Sequence, residues 1–111
     1  MDDPDAPVGT FVHWVLWNYP VSGGTLEIPR GLPKNQRLTN GALQGLNDFG
    51  RPGYNGPMPP RGHGIHRYHV KVYALDTMLT LPAGSKKADL ERALKGHILD
   101  QAELVGVYER K

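Results

Sequence analysis

The sequence contains no cysteine, which excludes disulfide bonds, thiolate metal ligands and a cysteine nucleophile. It also lacks any apolar run approaching the ~20 residues that cross a bilayer as a helix. The first residues, Met1-Asp2-Asp3-Pro4-Asp5, are acidic, which is the opposite of a secretory or transit peptide. These absences predict a cytoplasmic protein with no transmembrane segment.

The sequence also has little excess of either charge, since its formal net charge is only +2. The lysines and arginines are spread along the chain, whereas nucleic-acid binding normally needs a concentrated basic face. We therefore expect no nucleic-acid partner. The length of 111 residues and the hydrophobic fraction of 39% predict a single domain, residues 1–111, with one core.

Glycine and proline are abundant by contrast. The 14 glycines and 10 prolines make up more than a fifth of the chain, against about 12% in average proteins. They concentrate in residues 20–31 and 41–64. Long ordered loops of this composition inside a compact domain are usually functional.

Two segments have the alternation of a β-strand. Residues 10–18 are apolar on both faces, which predicts a central strand in which His13 is the only ionisable side chain. In residues 66–76 the period of two places His66 and Tyr68 side by side on the face that also carries Val70 and Val72. Two polar rings at one end of a buried face indicate the edge of a pocket.

The remaining elements are weaker. Residues 25–28 predict a short strand, and a helix is expected after Ser85 as N-cap, with Gly96 as its C-terminal stop. Residues 100–102 favour an extra helical turn and residues 103–108 a closing strand. Together these elements predict an α+β domain that is mainly β, an antiparallel sheet with a helix near the C-terminus.

Four motifs resemble the phosphatidylethanolamine-binding protein family, and more narrowly its prokaryotic branch of Raf-kinase-inhibitor-like proteins. They are Asp3-Pro4-Asp5-Ala6-Pro7, His13-Trp14, the loop from Gly56-Pro57 through Pro59-Pro60 to His66-Arg67-Tyr68, and Gly96-His97-Ile98-Leu99. Each motif alone is weak, but their order along the chain is specific. The resemblance covers essentially the whole sequence.

The sequence departs from the family pattern in two places. Family members typically carry an N-terminal segment before the motif at Asp3, so we expect a naturally short gene, a misassigned start or a truncation. The spacing before His66 is slightly longer than the commonest prokaryotic form and adds His63 near the pocket rim. The resemblance also implies a cis peptide bond at Pro7.

The resemblance implies a small pocket that holds a phosphate-like anion or a phospholipid headgroup of the phosphatidylethanolamine type. The residues of this sequence that correspond to the family's pocket residues are Asp3, His13, Gly56, Pro57, His66 and Tyr68. It implies no cofactor and no catalytic residue, and for eukaryotic members it implies inhibition of a kinase or protease. Inhibition through the surface, independent of the pocket, is the alternative function.

The residue types suit an anion. Histidine and tyrosine donate hydrogen bonds, and free backbone N–H groups beside Gly56 can form an anion-binding concavity. Asp3 can hold a histidine in one tautomer or receive an ethanolamine ammonium. We expect phosphate affinity to rise as the pH falls from about 8 to about 5.5, the working window of histidine.

Two enzyme alternatives have less support. Asp3, His13 and His66 would form a two-histidine, one-carboxylate metal set, although such triples are common by chance. A hydrolase lacks an evident nucleophile, because the only serines are Ser22 and Ser85 and neither lies in a G-x-S-x-G motif. A shortened sheet leaves an unpaired edge, so we expect a homodimer or strand-exchanged oligomer.

Overall fold

A computed structural model of the chain describes residues 1–21 and 23–111, so Ser22 lies outside the described residues. Its elements are, in chain order, β1 (Asp2–Asp3), β2 (Phe11–Val12), β3 (Leu16–Trp17), β4 (Leu43–Gln44), β5 (His66–Leu75), α1 (Lys87–Leu94) and β6 (Ile98–Tyr108). No helix of the described residues is long and apolar enough to cross a membrane.

The strands form two antiparallel sheets. The larger has the order β2-β1-β5-β6 and the smaller pairs β3 with β4. The long pair β5 and β6 runs from His66 opposite Tyr108 to Leu75 opposite Ile98, and α1 connects the two strands. The prediction of a mainly β, antiparallel fold with one late helix is confirmed.

The strand predicted over residues 66–76 is present as β5, but one face is buried in its first half and the opposite face in its second half. His66 and Tyr68 are buried on one face near the start of the strand. Further along, Tyr73 and Leu75 on the opposite face pack against the core, while Val72 on the first face is exposed. The expectation of one continuous buried face was therefore wrong beyond Tyr68.

The prediction of one central strand over residues 10–18 was also wrong. The segment forms β2, at the edge of the larger sheet, and β3, in the smaller one. Between them the chain bends, because the backbone N–H groups of His13 and Trp14 both donate to the carbonyl of Met1, at 2.8 and 3.3 Å. Alternation is still visible in the burial, since His13, Val15 and Trp17 are buried, but Trp14 and Leu16 on the other face are only half-buried, so coverage of both faces was wrong.

Three further expectations fail, two of them because a partner strand is absent or present. Residues 25–28 form no strand, since only Thr25 makes an isolated bridge there. Residues 100–102 are not helical, because Asp100 and Ala102 pair with Ala74 and Val72 within β6. No cis peptide bond occurs among the described residues, so the resemblance was misleading at Pro7.

The helix begins one residue later than predicted. Lys86 is the N-cap, and its backbone N–H donates to the Asp89 carboxylate at 2.9 Å. The Ser85 hydroxyl donates instead to the Pro82 carbonyl at 2.6 Å, so it was wrongly predicted as the cap. Gly96 follows the helix with φ +81°, the left-handed conformation expected of a stop glycine.

The apolar core lies between α1, the smaller sheet and the far half of β5. Val15, Trp17, Leu79 and Leu94 are its buried members. Leu90 and Ala93, on the same helical stripe as Leu94, pack against them. Because the core occupies this side of the sheet, the start of β5 is left for the polar cluster described next.

Candidate functional site

Asp3 and His66 form a buried pair at the junction of β1 and β5. Asp2 lies opposite His69 in the sheet, so Asp3 lies beside the start of β5. The Nδ1 of His66 is 2.6 Å from Oδ2 of Asp3, and the two residues are only 1% and 3% exposed. The carboxylate accepts from Nδ1–H, so the neutral His66 ring has its other nitrogen, Nε2, unprotonated.

His13 lies on the other side of the cluster, after the end of β2. Its Nδ1–H donates to the carbonyl of Asn55 at 2.7 Å, and the Asn55 N–H donates back to the His13 carbonyl at 3.3 Å. The ring packs at 5.1 Å from Phe11 and 5.5 Å from Phe49, and at 5.4 Å from Tyr68. His13 is therefore fixed in a mainly aromatic wall with its Nδ1 already occupied.

Tyr68 joins the two histidines. Its ring lies 5.4 Å from that of His13 and 6.4 Å from that of His66, and the residue is buried. Its hydroxyl has no hydrogen-bond partner of ordinary geometry among the described residues, and its interaction with the side chain of Asp3 is weaker than that. Burial, and then the negative charge and side-chain oxygens of Asp3, raise the pKa of Tyr68 to about 12, so the hydroxyl keeps its proton at neutral pH.

Gly56 and Pro57 follow Asn55 directly and are half-buried. The hydrogen bonds between Asn55 and His13 hold the start of this loop against the cluster. Asn47 supports the same loop, because its amide donates to the side chain of Asn55 at 2.8 Å. Among the described hydrogen bonds none uses the Gly56 N–H, which leaves that donor available.

The structure thus brings Asp3, His13, His66 and Tyr68 together, with the Gly56-Pro57 loop beside them. Surface depressions of about 400 Å³ and 320 Å³ lie elsewhere. The first is lined by Tyr19, Pro20, Thr25, Glu27 and Asn40, and the second by Lys71, Tyr73, Gln101, Ala102 and Glu103.

His63 contacts the cluster from its exposed side. Its Nδ1 is 2.5 Å from Nε2 of His66, and the two rings meet edge to face with centroids 4.8 Å apart. The sequence indicated His63 only as a residue near the rim. Asn55, which fixes His13, was missed altogether, and its role depends on a backbone carbonyl that no residue pattern reveals.

The other histidines, His69 and His97, lie outside the cluster. His69 is bonded through Nδ1 to Glu103 at 2.5 Å, and His97 to Asp76 at 2.9 Å. Among the described residues, no group of three or more histidine, aspartate or glutamate side chains is arranged to hold a metal ion.

Comparison with known proteins places this arrangement in a family. The protein-family model described as phosphatidylethanolamine-binding protein matches residues 1–109 of this chain. A UPF0098 protein of Pyrococcus horikoshii is 57% identical over 113 residues, which cover 100% of this chain and 56% of that protein. The UPF0098 protein YbcL of Escherichia coli is 38% identical over 111 residues, covering 98% of this chain and 61% of that protein.

Solved structures agree. The crystal structure of E. coli YbcL, described as a new member of the mammalian PEBP family, matches with a TM-score of 0.82 and 37% identity, over 99% of this chain and 68% of that one. A phosphatidylethanolamine-binding protein homolog from Chlamydia trachomatis matches with a TM-score of 0.81 and 36% identity, over 99% and 69% of the two chains. The chain spans a little over half the length of the Pyrococcus relative, and it belongs to the phosphatidylethanolamine-binding protein family.

Proposed function

We propose that the chain binds a phosphate-like anion, free or as the headgroup of a phospholipid such as phosphatidylethanolamine, at the cluster of Asp3, His13, His66 and Tyr68. The observation that carries the proposal is the buried Tyr68 hydroxyl, which has no partner among the described residues. A buried donor without an acceptor costs about 1–3 kcal/mol. An anion in contact with the hydroxyl would remove that cost.

Proton positions decide when the cluster can accept an anion. Both histidines donate through Nδ1, His13 to Asn55 and His66 to Asp3. In their neutral forms both therefore present an unprotonated Nε2, which repels an anion, and only the imidazolium form donates from that atom. We expect the bound anion either to enter with proton uptake by a histidine or to bring its own proton, as a phosphate monoanion does.

The aspartate is better suited to orientation than to binding an ammonium group. Oδ1 of Asp3 accepts from the Asp5 N–H at 2.8 Å and Oδ2 accepts from His66 at 2.6 Å, so each oxygen already accepts a hydrogen bond within the fold, and the residue is only 3% exposed. This favours recognition of the phosphate part of a headgroup over its amine. Phosphate and phosphoethanolamine should then bind with affinities within a few-fold of each other.

Calorimetric titration tests the proposal. Inorganic phosphate and phosphoethanolamine are titrated at pH 5.5 and pH 8 into wild type, His66→Ala and the matched control His97→Ala, whose histidine lies outside the cluster. We expect binding by wild type and the control, tighter at pH 5.5, and loss of binding in His66→Ala. Absence of binding in wild type, or equal binding in His66→Ala, would falsify the proposal.

A second arm separates the two sources of the phosphate group. Sedimentation with vesicles of phosphatidylethanolamine in phosphatidylcholine is compared with vesicles of phosphatidylcholine alone. Retention only on the first, and competition by phosphoethanolamine, would assign the lipid headgroup. Binding of inorganic phosphate without vesicle retention would assign the free anion.

The alternative is an inhibitor module that acts on a kinase or protease through its surface. It predicts inhibition that is the same in wild type and His66→Ala, whereas inhibition coupled to the cluster would be lost in the variant. We propose a binding protein rather than an enzyme, since the four clustered residues include no serine, threonine or cysteine nucleophile. The cytoplasmic location stays a prediction.

A further inference from the structure

His63 occupies the position from which an anion would contact His66. His63 is exposed and His66 is 1% exposed, so the contact of 2.5 Å between their rings joins the solvent to the buried Asp3–His66 pair. Because Nδ1–H of His66 donates to Asp3, the neutral ring can only accept at Nε2. His63 must therefore donate through its own Nδ1–H. Carboxylate, buried imidazole and exposed imidazole form one chain.

The direction of this contact reverses when His66 carries an additional proton. Nε2 of His66 is then a donor, and the contact with His63 persists only if His63 moves its own proton to Nε2 and accepts through Nδ1. An anion in place of His63 is a stronger acceptor for the new donor than a neutral imidazole is. We propose that His63 is a displaceable lid that covers Nε2 of His66 and yields to the anion; the inference rests on the proposed function of the cluster.

Glycines and backbone hydrogen bonds shape the loop that carries the exposed side chain of His63. Gly62 and Gly64 flank it with φ values of +73° and +94°, conformations that favour glycine. The Gly62 N–H donates to the Arg110 carbonyl at 2.8 Å, and an Arg110 N–H donates to the Pro59 carbonyl at 3.3 Å. The loop base is thus held by the C-terminal segment, and the His63 N–H donates to the Pro60 carbonyl at 3.2 Å, so displacement of the lid requires rotation of the His63 side chain.

Several charged and titratable groups influence His66 and its lid. β1 and the turn after it contribute Asp3 and Asp5, and β5 contributes Arg67 and Tyr68. The other groups are Tyr108 on β6, and His13 and Arg110 in neighbouring segments. Asp5 and Arg67 neutralise each other in a bidentate pair. Asp3 is then the principal charge that contacts the chain of imidazoles.

The test compares phosphate binding by wild type, His63→Ala and His97→Ala at pH 7. Removal of the lid should tighten binding about 2- to 10-fold, since a net hydrogen bond of roughly 0.5–1.5 kcal/mol no longer has to be broken. His97→Ala should bind as wild type does. Weaker binding by His63→Ala would make His63 a ligand rather than a lid, and unchanged binding would give it no role; either result overturns the inference while the proposed function stands.

A measurement without ligand keeps the two proposals separable. In ¹⁵N spectra of the imidazole rings, the His66 Nε2 resonance should shift between wild type and His63→Ala, because the accepted hydrogen bond is lost. If neither protein binds phosphate, the proposed function fails and the lid loses its purpose with it. If the resonance is the same in both proteins, the contact is absent in solution and the lid is refuted.

Discussion

Asp3 determines which nitrogen of His66 carries the proton, because its Oδ2 accepts from Nδ1 at 2.6 Å while its Oδ1 accepts from the Asp5 N–H at 2.8 Å. The second contact fixes the orientation of the carboxyl group as well as its position. A buried acceptor on Nδ1 leaves Nε2 unprotonated in the neutral ring. The aspartate therefore controls the chemistry of an atom that it does not contact.

Asp3→Asn should reverse this arrangement. Oδ1 of the new amide would still accept from the Asp5 N–H, so its NH₂ group would face His66 and donate to Nδ1. The neutral ring then carries its proton on Nε2 and can donate to an anion without further protonation. We expect phosphate affinity at pH 8 to rise about tenfold and its dependence on pH to flatten. Calorimetry at both pH values checks this; a variant that retains the slope of wild type would contradict the tautomer assignment.

Tyr68→Phe separates a structural role from a binding role. The hydroxyl has no partner among the described residues, so its removal should leave the free energy of unfolding within about 1 kcal/mol of wild type. Phosphate affinity should fall about 5- to 10-fold with the lost donor. Tyr73→Phe, on the same strand but packed against the core, is the matched control and should bind normally. A large loss of stability in Tyr68→Phe would show that the hydroxyl has an internal partner.

Local patterns predicted these features to different degrees. Alternation located β5 and predicted the burial of His13, His66 and Tyr68, because side-chain direction in extended backbone follows from the residue count alone. It failed where pairing with a distant strand determines the secondary structure. Residues 25–28 form no strand, and Asp100 pairs with Ala74 although its local sequence favoured a helical turn. The lid contact of His63 depends on the hydrogen bond between Asp3 and His66, residues 63 positions apart. Such a relation is visible only after folding.

The raised pKa of Tyr68 predicts a loss of stability at alkaline pH. A tyrosine that titrates near 10 when unfolded and near 12 when folded stabilises the native state fully below pH 10, and this contribution disappears as the pH rises toward 12. Ultraviolet titration of phenolate, wild type minus Tyr68→Phe, should show a midpoint near 12. A difference curve centred near 10 would mean that the ring is exposed to solvent.

The pair of Asp5 and Arg67 predicts the opposite dependence at acid pH. Hydrogen bonds from the Arg67 side chain, at 2.8 and 2.9 Å, hold the pKa of Asp5 well below its usual 3.8. The stabilising contribution of the pair is therefore present above pH 3.8 and is lost as the pH falls below that value toward the folded pKa.

A double-mutant cycle with Asp5→Asn and Arg67→Ala isolates the coupling energy of the pair, using urea unfolding at several pH values between 2 and 7. The coupling between the two residues should be constant from pH 5 to pH 7 and should shrink in the acid range. Because the Asp5 carboxylate also accepts from the Arg67 backbone N–H at 2.8 Å, part of the loss in Asp5→Asn should remain when Arg67 is already alanine. Coupling that stays unchanged down to pH 2 would show that the interaction does not depend on the charge of Asp5.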